Sequence, residues 1–148
     1  NSKIIIVGYF KENKTKNGFL DSPNLIIAHV MMTHLSYSGL AEIGCGMKDS
    51  VEKRMNILFS WSKINRSIRV YFISLLVKRS KDVLGQAITY KNDQSRQKEE
   101  EEKPPFYMKE YDIIKEWLNR VFDEIDNLDL IENAMLESAN SNLETVLI

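Results

Sequence analysis

The fold of this protein depends on how residues 68–77, which read IRVYFISLLV, are interpreted. Apolar side chains stand at both odd and even positions of this stretch, a pattern typical of a strand that is covered on both faces. β-Branched and aromatic residues are also concentrated after Ser67, and they favour extended structure. We therefore interpret Ile68 to Val77 as a buried strand.

The same stretch also fits a helix. Apolar residues spaced by four and three positions run through it and through the preceding segment; they are Ile57, Trp61, Ile64, Ile68, Tyr71 and Leu75. One helix from Ser50 to Arg79 would place all six on a single stripe. This second interpretation predicts an all-α bundle, and the sequence leaves both interpretations open.

Two segments upstream complete the predicted sheet. Lys3 to Phe10, KIIIVGYF, is rich in β-branched and aromatic residues and runs into a polar stretch, as a strand entering a turn does. Leu40 to Gly44 is a short apolar run, and Asp49 with Glu52 three residues later resembles a capping box that begins a helix. The leading prediction is an α+β fold, a small mixed sheet with flanking helices.

The clearest periodicity in the chain begins at Tyr107. From there to Leu128, apolar residues alternate between spacings of four and three, which predicts an amphipathic helix. Trp117 and Phe122 widen the apolar stripe beyond a narrow coiled-coil seam. We therefore expect this helix to pack on the surface of a domain.

Charge divides the chain into two unlike ends. Residues 1–98 carry sixteen Lys and Arg against seven Asp and Glu, whereas residues 99–148 carry four against fourteen. Such a division indicates that the basic part meets an anion or that the two ends meet each other. The predicted organisation is an α+β basic domain over residues 1–92, a charged linker or surface loop over 93–105, and an acidic helical extension over 106–148 that packs on the domain.

The cysteine and apolar content predict a soluble intracellular protein, cytoplasmic or nuclear. The single cysteine, Cys45, has no second thiol for an internal disulfide, which favours a reducing compartment. The longest apolar run, Val70 to Val77, is far shorter than the ~20 residues that cross a bilayer, so no membrane partner is expected.

Residues 40–80 contain an ordered series of features: Glu42-Ile43-Gly44, the polar segment Lys48 to Ser50, a helix with Trp61, and the apolar run Ile68 to Arg79 with a basic end. This series resembles putative nucleases of the PD-(D/E)xK, restriction-endonuclease-like fold. In that group a strand ending in Glu-(Ile/Val)-Gly precedes a polar turn, a tryptophan-bearing helix and an apolar strand with a basic end. The resemblance implies that Glu42 binds Mg²⁺ or Mn²⁺ and that Lys53 takes the place of the lysine that activates the attacking water.

The segment from Lys48 to Lys81 carries nine Lys and Arg against Asp49 and Glu52, with aromatic residues between them. Cations with interleaved aromatic rings are the residue types that contact phosphates and stack on bases. We predict five phosphate contacts, Lys63, Arg66, Arg69, Lys78 and Arg79. The leading functional hypothesis is thus a nucleic-acid-associated domain, in its most specific form a degenerate metal-dependent nuclease.

A second hypothesis is a non-catalytic protein-interaction or assembly subunit. In this interpretation the amphipathic helix from Tyr107 to Leu128 docks on another protein or on a second copy of the chain. Its apolar stripe would form the interface through Tyr111, Ile114, Leu118, Val121 and Ile125. The basic residues would then pair with the acidic end of the chain, which includes Glu99 to Glu102.

Overall fold

A computed structural model describes residues 48–94 and 107–148, together with the isolated helical positions 26, 28 and 30. The two long ranges form four helices: α1 (Lys48–Ser62), α2 (Arg66–Gln94), α3 (Tyr107–Glu124) and α4 (Leu130–Val146). One cluster of buried apolar side chains runs through all four. None of these helices combines the length and the apolar character that a bilayer crossing requires.

The strand predicted at Ile68–Val77 is wrong, because these residues form the first half of α2. Helix α2 contacts α1, α3 and α4, and Ile68, Phe72, Ile73 and Leu76 are fully buried. A helix covered on most sides needs apolar residues at nearly every position, so it lacks the polar face that marks a surface helix. The α+β prediction is thereby overturned for the described residues, and the all-α bundle fits them.

The other two predicted strands, Lys3 to Phe10 and Leu40 to Gly44, lie outside the described residues.

A single helix from Ser50 to Arg79 does not form either, because the chain turns at residues 63–65. The backbone N–H of Asn65 closes α1 by donating to the carbonyl of Trp61 at 3.0 Å. The Asn65 side-chain oxygen then accepts from the N–H of Ile68 at 3.1 Å, which is the bond that an N-cap residue makes at a helix start. The turn leaves Ile64 and Tyr71 exposed instead of on a common buried stripe.

Helices α2 and α4 form the most extensive contact and run parallel. Arg66 pairs with Asp129 near their first turns, and the Asn142 amide donates to the Ser80 hydroxyl further along at 3.0 Å. Fourteen residues separate the two α2 positions and thirteen separate the two α4 positions, so both helices advance about 20 Å in the same direction.

Helix α3 runs antiparallel to α2 and joins α1 in an aromatic cluster. The rings of Phe59, Phe72 and Trp117, one from each of these helices, lie with centroids 5.5 to 5.9 Å apart. Both contacts of Trp117 are edge-on, which is a favoured arrangement for aromatic pairs. Arg79 of α2 pairs with Glu110 near the start of α3, toward the other end of α2.

Candidate functional site

The residues predicted for catalysis are not brought together in the described part. Glu42, the predicted metal ligand and catalytic carboxylate, lies outside it, and Lys53 is an exposed residue of α1. Within residues 48–94 and 107–148, no three His, Cys, Asp or Glu side chains are grouped as a metal site would require. The Mg²⁺ or Mn²⁺ site stays a prediction from sequence.

Three of the predicted phosphate contacts lie where the turn between α1 and α2 meets the connection between α3 and α4. Lys63 donates to Glu124 at 2.9 Å, and Arg66 donates to Asp129 Oδ2 through Nε at 2.9 Å and Nη2 at 2.7 Å. Arg69 reaches Glu132 at 3.5 Å. We call this group the basic corner: the cations Lys63, Arg66 and Arg69 with the acidic partners Glu124, Asp129 and Glu132.

Arg69 is also a structural residue of the turn. Its Nε donates to the Ser62 carbonyl at 2.7 Å and its Nη2 to the Lys63 carbonyl at 3.2 Å. These carbonyls belong to the end of α1 and the turn after it, where helical backbone acceptors have no partner within the helix. The guanidinium of Arg69 therefore holds α1 and α2 together and contacts α4 as well.

The other two predicted phosphate contacts lie further along α2. Arg79 is buried and pairs with Glu110 and Asp82, and Lys78 is half-buried and already has an interaction partner. Phosphate binding by these five residues stays a prediction, and the structure shows four of them paired with carboxylates of their own chain.

The contacts of the basic corner shift the pKa values of the residues that form it. The pKa of Asp129 is lowered, first by the hydrogen bond from the backbone N–H of Glu132 and then by the one from Arg66. The pKa of Glu124 is lowered by the hydrogen bonds from Lys63 and Arg120. The pKa of Arg66 is raised by its hydrogen bond to Asp129, so every shift favours the charged forms.

The stripe predicted as a partner interface faces the core of its own chain. Ile114, Leu118, Val121 and Ile125 are buried, and Tyr111 is half-buried against the same core. Their role in binding another protein stays a prediction, since the chain itself covers four of the five.

An open apolar groove of about 410 Å³ lies between α2 and the first half of α4. We call it the α4 groove; it is lined by Val77, Leu130, Ile131, Ala134, Met135 and Ser138. Leu130 and Ile131 are its large apolar residues with high exposure, because they are 89% and 62% accessible to solvent. The α4 groove thus presents large apolar side chains to solvent on a well-formed helix.

The sequence contained a signal for this groove that the periodicity did not reveal. Leu130 and Ile131 directly follow Asp129, which caps α4 together with Glu132 in a reciprocal capping box. The capping box sets the direction in which α4 starts, and Leu136, Ala139 and Leu143 turn to the core. Two adjacent apolar residues in the first turn, outside that buried spacing, must then face solvent.

A second, polar pocket of about 790 Å³ lies between α2 and the start of α3. Tyr90 and Tyr107 meet edge to face in its wall, with ring centroids 5.8 Å apart. The pKa of Tyr107 is raised, chiefly because burial disfavours the phenolate. Lys81 and Asp82 line the same pocket.

Comparison with known proteins adds no assignment: the chain matches no family model, no curated protein and no solved structure.

Proposed function

We propose that this protein is a helical interaction or assembly subunit, of the non-catalytic class, and that it binds another protein through the α4 groove. The observation that carries the proposal is the exposure of Leu130 and Ile131 side by side in an apolar groove. Exposed apolar residues that adjoin one another are a feature of protein-interaction sites, whereas apolar residues exposed singly are ordinary on any protein surface.

The packing of α4 supports this assignment. Its buried stripe, with Leu136, Ala139 and Leu143, already supplies its contact with the core. Leu130 and Ile131 lie outside this stripe and are 89% and 62% accessible to solvent, and full burial of such a side chain contributes about 1.5 to 3 kcal/mol relative to leaving it exposed. A partner that covers the groove would recover this free energy on binding.

The state of the basic corner supports the same function. Lys63, Arg66 and Arg69 contact carboxylates of α3, α4 and their connection, so a phosphate would have to compete with these partners. A protein partner at the α4 groove meets no such competition from an ion pair, since the lining residues are apolar except for Ser138.

Photo-crosslinking at single positions tests the proposal. A photoreactive side chain replaces Leu130 in one variant and Phe122 in the other, and each is irradiated in an extract of cells that produce the protein. Phe122 is the control because it is an exposed apolar residue of α3 outside the groove. Adducts are identified by mass spectrometry.

We expect a defined adduct from position 130, none from position 122, and loss of the adduct when Ile131→Gln is added. Circular dichroism must show equal helix content in all variants. Identical adducts from both positions, or none from position 130, would contradict a binding role of the groove.

A further inference from the structure

We infer that the partner of the α4 groove is a basic amphipathic segment, which places a large apolar side chain in the groove and carries Lys or Arg on either side of it. This inference rests on the proposed function, because it names the partner of the same groove.

Helix α4, which supplies five of the six lining residues, contains no Lys or Arg from Leu130 to Val146. Its charged residues are Glu132, Glu137 and Glu144. Glu132 is buried and engaged in the capping box, whereas Glu137 and Glu144 are exposed. Asp126, in the connection that leads into α4, is exposed as well. Lys115 and Lys91 contact α4 at Asn140 and Val146, which lie beyond the last lining residue, Ser138. Glu137 follows the lining residue Ala134 by three positions, so helix geometry places it beside the groove.

Two cations of α2, Arg66 and Lys81, have their contacts away from the groove. Arg66 is bound to Asp129, and Lys78, the neighbour of Val77, is half-buried and has an interaction partner. Lys81 lies one turn beyond Val77, but its side chain lines the polar pocket beside Tyr107. An approaching segment therefore meets an apolar surface with the carboxylate of Glu137 beside it, and Lys or Arg is the electrostatic complement of that carboxylate.

The dimensions of the groove fit side chains of a helix. The groove is open along its length, with a volume of about 410 Å³, so it can receive side chains from a surface laid across it. The lining residues of α4 follow the spacing 130, 131, 134, 135 and 138, which is one face of a helix. An amphipathic partner helix inserts anchors at positions i, i+3 or i+4 into a surface of this shape.

A second copy of the chain is a poorer occupant. A symmetric dimer through this groove would bring two copies of the same surface together, so the interface would contain Glu137 from both copies. No Lys or Arg of α4 is present to separate these like charges. Electrostatic complementarity therefore favours a basic partner over self-association.

Two synthetic peptides of equal length test the inference. Both carry the same leucine face at helical spacing; one has lysine at every polar position and the other has glutamate. Each is titrated into the isotope-labelled full chain, and backbone NMR shifts give the Kd at low and at physiological salt. We expect the lysine peptide to bind at least about tenfold more tightly, an advantage that a few exposed ion pairs supply and that salt reduces.

Matched variants distinguish the contribution of the apolar groove to peptide binding from the contribution of the charge. Ile131→Gln removes the apolar anchor without adding charge, and it should abolish lysine-peptide binding. Glu137→Gln should weaken that binding several-fold and leave glutamate-peptide binding no weaker than before. Phe122→Gln, outside the groove, should change neither.

The outcomes distinguish the inference from the proposed function. Equal affinity for both peptides, lost in Ile131→Gln, would overturn the basic partner and leave the groove as a binding site. No shifts at residues 130–138 with either peptide would count against both. Self-association of the protein alone, measured by sedimentation and lost in Ile131→Gln, would identify a second copy as the occupant and overturn the inference.

Discussion

Asp129 forms hydrogen bonds with two helices. Its Oδ1 accepts from the backbone N–H of Glu132 at 2.7 Å and so begins α4, while its Oδ2 accepts from both donors of Arg66 at the start of α2. The cap of α4 and the ion pair with Arg66 use different oxygen atoms, so substitutions at Asp129 can remove one contact and keep the other. Asparagine keeps the capping acceptor and removes the charge, whereas alanine removes both.

We expect Asp129→Ala to destabilise the protein more than Asp129→Asn, as measured by urea denaturation at neutral pH. The pKa of Asp129 is lowered in the folded state, so its stabilising effect is present above the unfolded-state pKa of about 3.9 and is lost as the pH falls through the lower folded-state pKa. Stability should therefore fall in acid less steeply in Asp129→Asn than in the wild type. Parallel pH profiles for the two proteins would show that the Arg66 contact adds no stability.

Gly85 offers a stabilising substitution within α2. It lies in the helix interior and is exposed, and a Cβ added there meets no atom within 4 Å. Gly85→Ala should therefore raise the free energy of unfolding by about 0.5 to 1 kcal/mol, since alanine loses less backbone entropy in a helix. Urea denaturation checks this, with Gln86→Ala as the neighbouring exposed control, which should stay within about 0.5 kcal/mol. A destabilised Gly85→Ala would mean that another group needs the space.

The roles of single basic residues could not be read from the sequence. Lys63, Arg66 and Arg69 were predicted to bind phosphate because of their type and clustering, and the sequence also allowed pairing with the acidic end. Their partners in the structure are 61 to 63 positions away, and only the packing of α2 on α3 and α4 brings them within reach. Local pattern carries no information about contacts at that separation.

At the scale of elements, helices α2 and α3 illustrate what a sequence pattern can show. Helix α3 was predicted because one of its faces reaches solvent, which makes its period visible. Helix α2 was mistaken for a strand because it lies between α1, α3 and α4, so apolar residues surround it. A short, densely apolar run fits a buried strand and a buried helix equally well, and the spacing of four and three that runs through it did not decide between them. Only the contacts of this segment with α1, α3 and α4 distinguish the helix from the strand.

A buried ion pair joins α2 to α3. Arg79 and Glu110 are in contact, with 8% and 1% of their side chains exposed, and Arg79 also contacts the half-exposed Asp82. Removing Glu110 and removing Arg79 therefore have different consequences for the residue that is left. Without Glu110, Arg79 keeps Asp82, whereas Glu110 without Arg79 is left with a buried charge.

We expect Arg79→Met to lower the free energy of unfolding by about 3 to 5 kcal/mol, the cost of leaving one buried charge uncompensated. Glu110→Gln should cost clearly less, and the double variant Arg79→Met with Glu110→Met should recover most of the loss because no buried charge remains. Urea denaturation of the three variants measures these differences, and a double-mutant cycle isolates the pair. Equal costs for both single variants would refute the role assigned to Asp82.

At the scale of the whole molecule, the unlike charges of the two ends meet at the basic corner. Lys63, Arg66 and Arg69 from the basic part contact Glu124, Asp129 and Glu132 from the acidic part. The first two pairs are partly exposed, and such pairs add little stability individually. Their larger effect is to reduce the positive field that a nucleic acid would meet, which bears directly on the nucleic-acid hypothesis.

This neutralisation predicts weak binding of nucleic acid. In fluorescence anisotropy with a fluorescent single-stranded oligonucleotide, we expect a Kd no tighter than the roughly 10⁻⁴ to 10⁻⁶ M of non-specific association at physiological salt. Neutralising Lys63 and Arg66 together to glutamine should change this Kd by less than about threefold, because both cations already have carboxylate partners. Lys53→Gln, an exposed lysine of α1, is the matched control. A Kd near 10⁻⁸ M that is lost on neutralising Lys63 and Arg66, but not Lys53, is the behaviour of a specific site. That result would show that phosphate displaces the carboxylates of the basic corner, and it would restore nucleic acid as the partner of this surface.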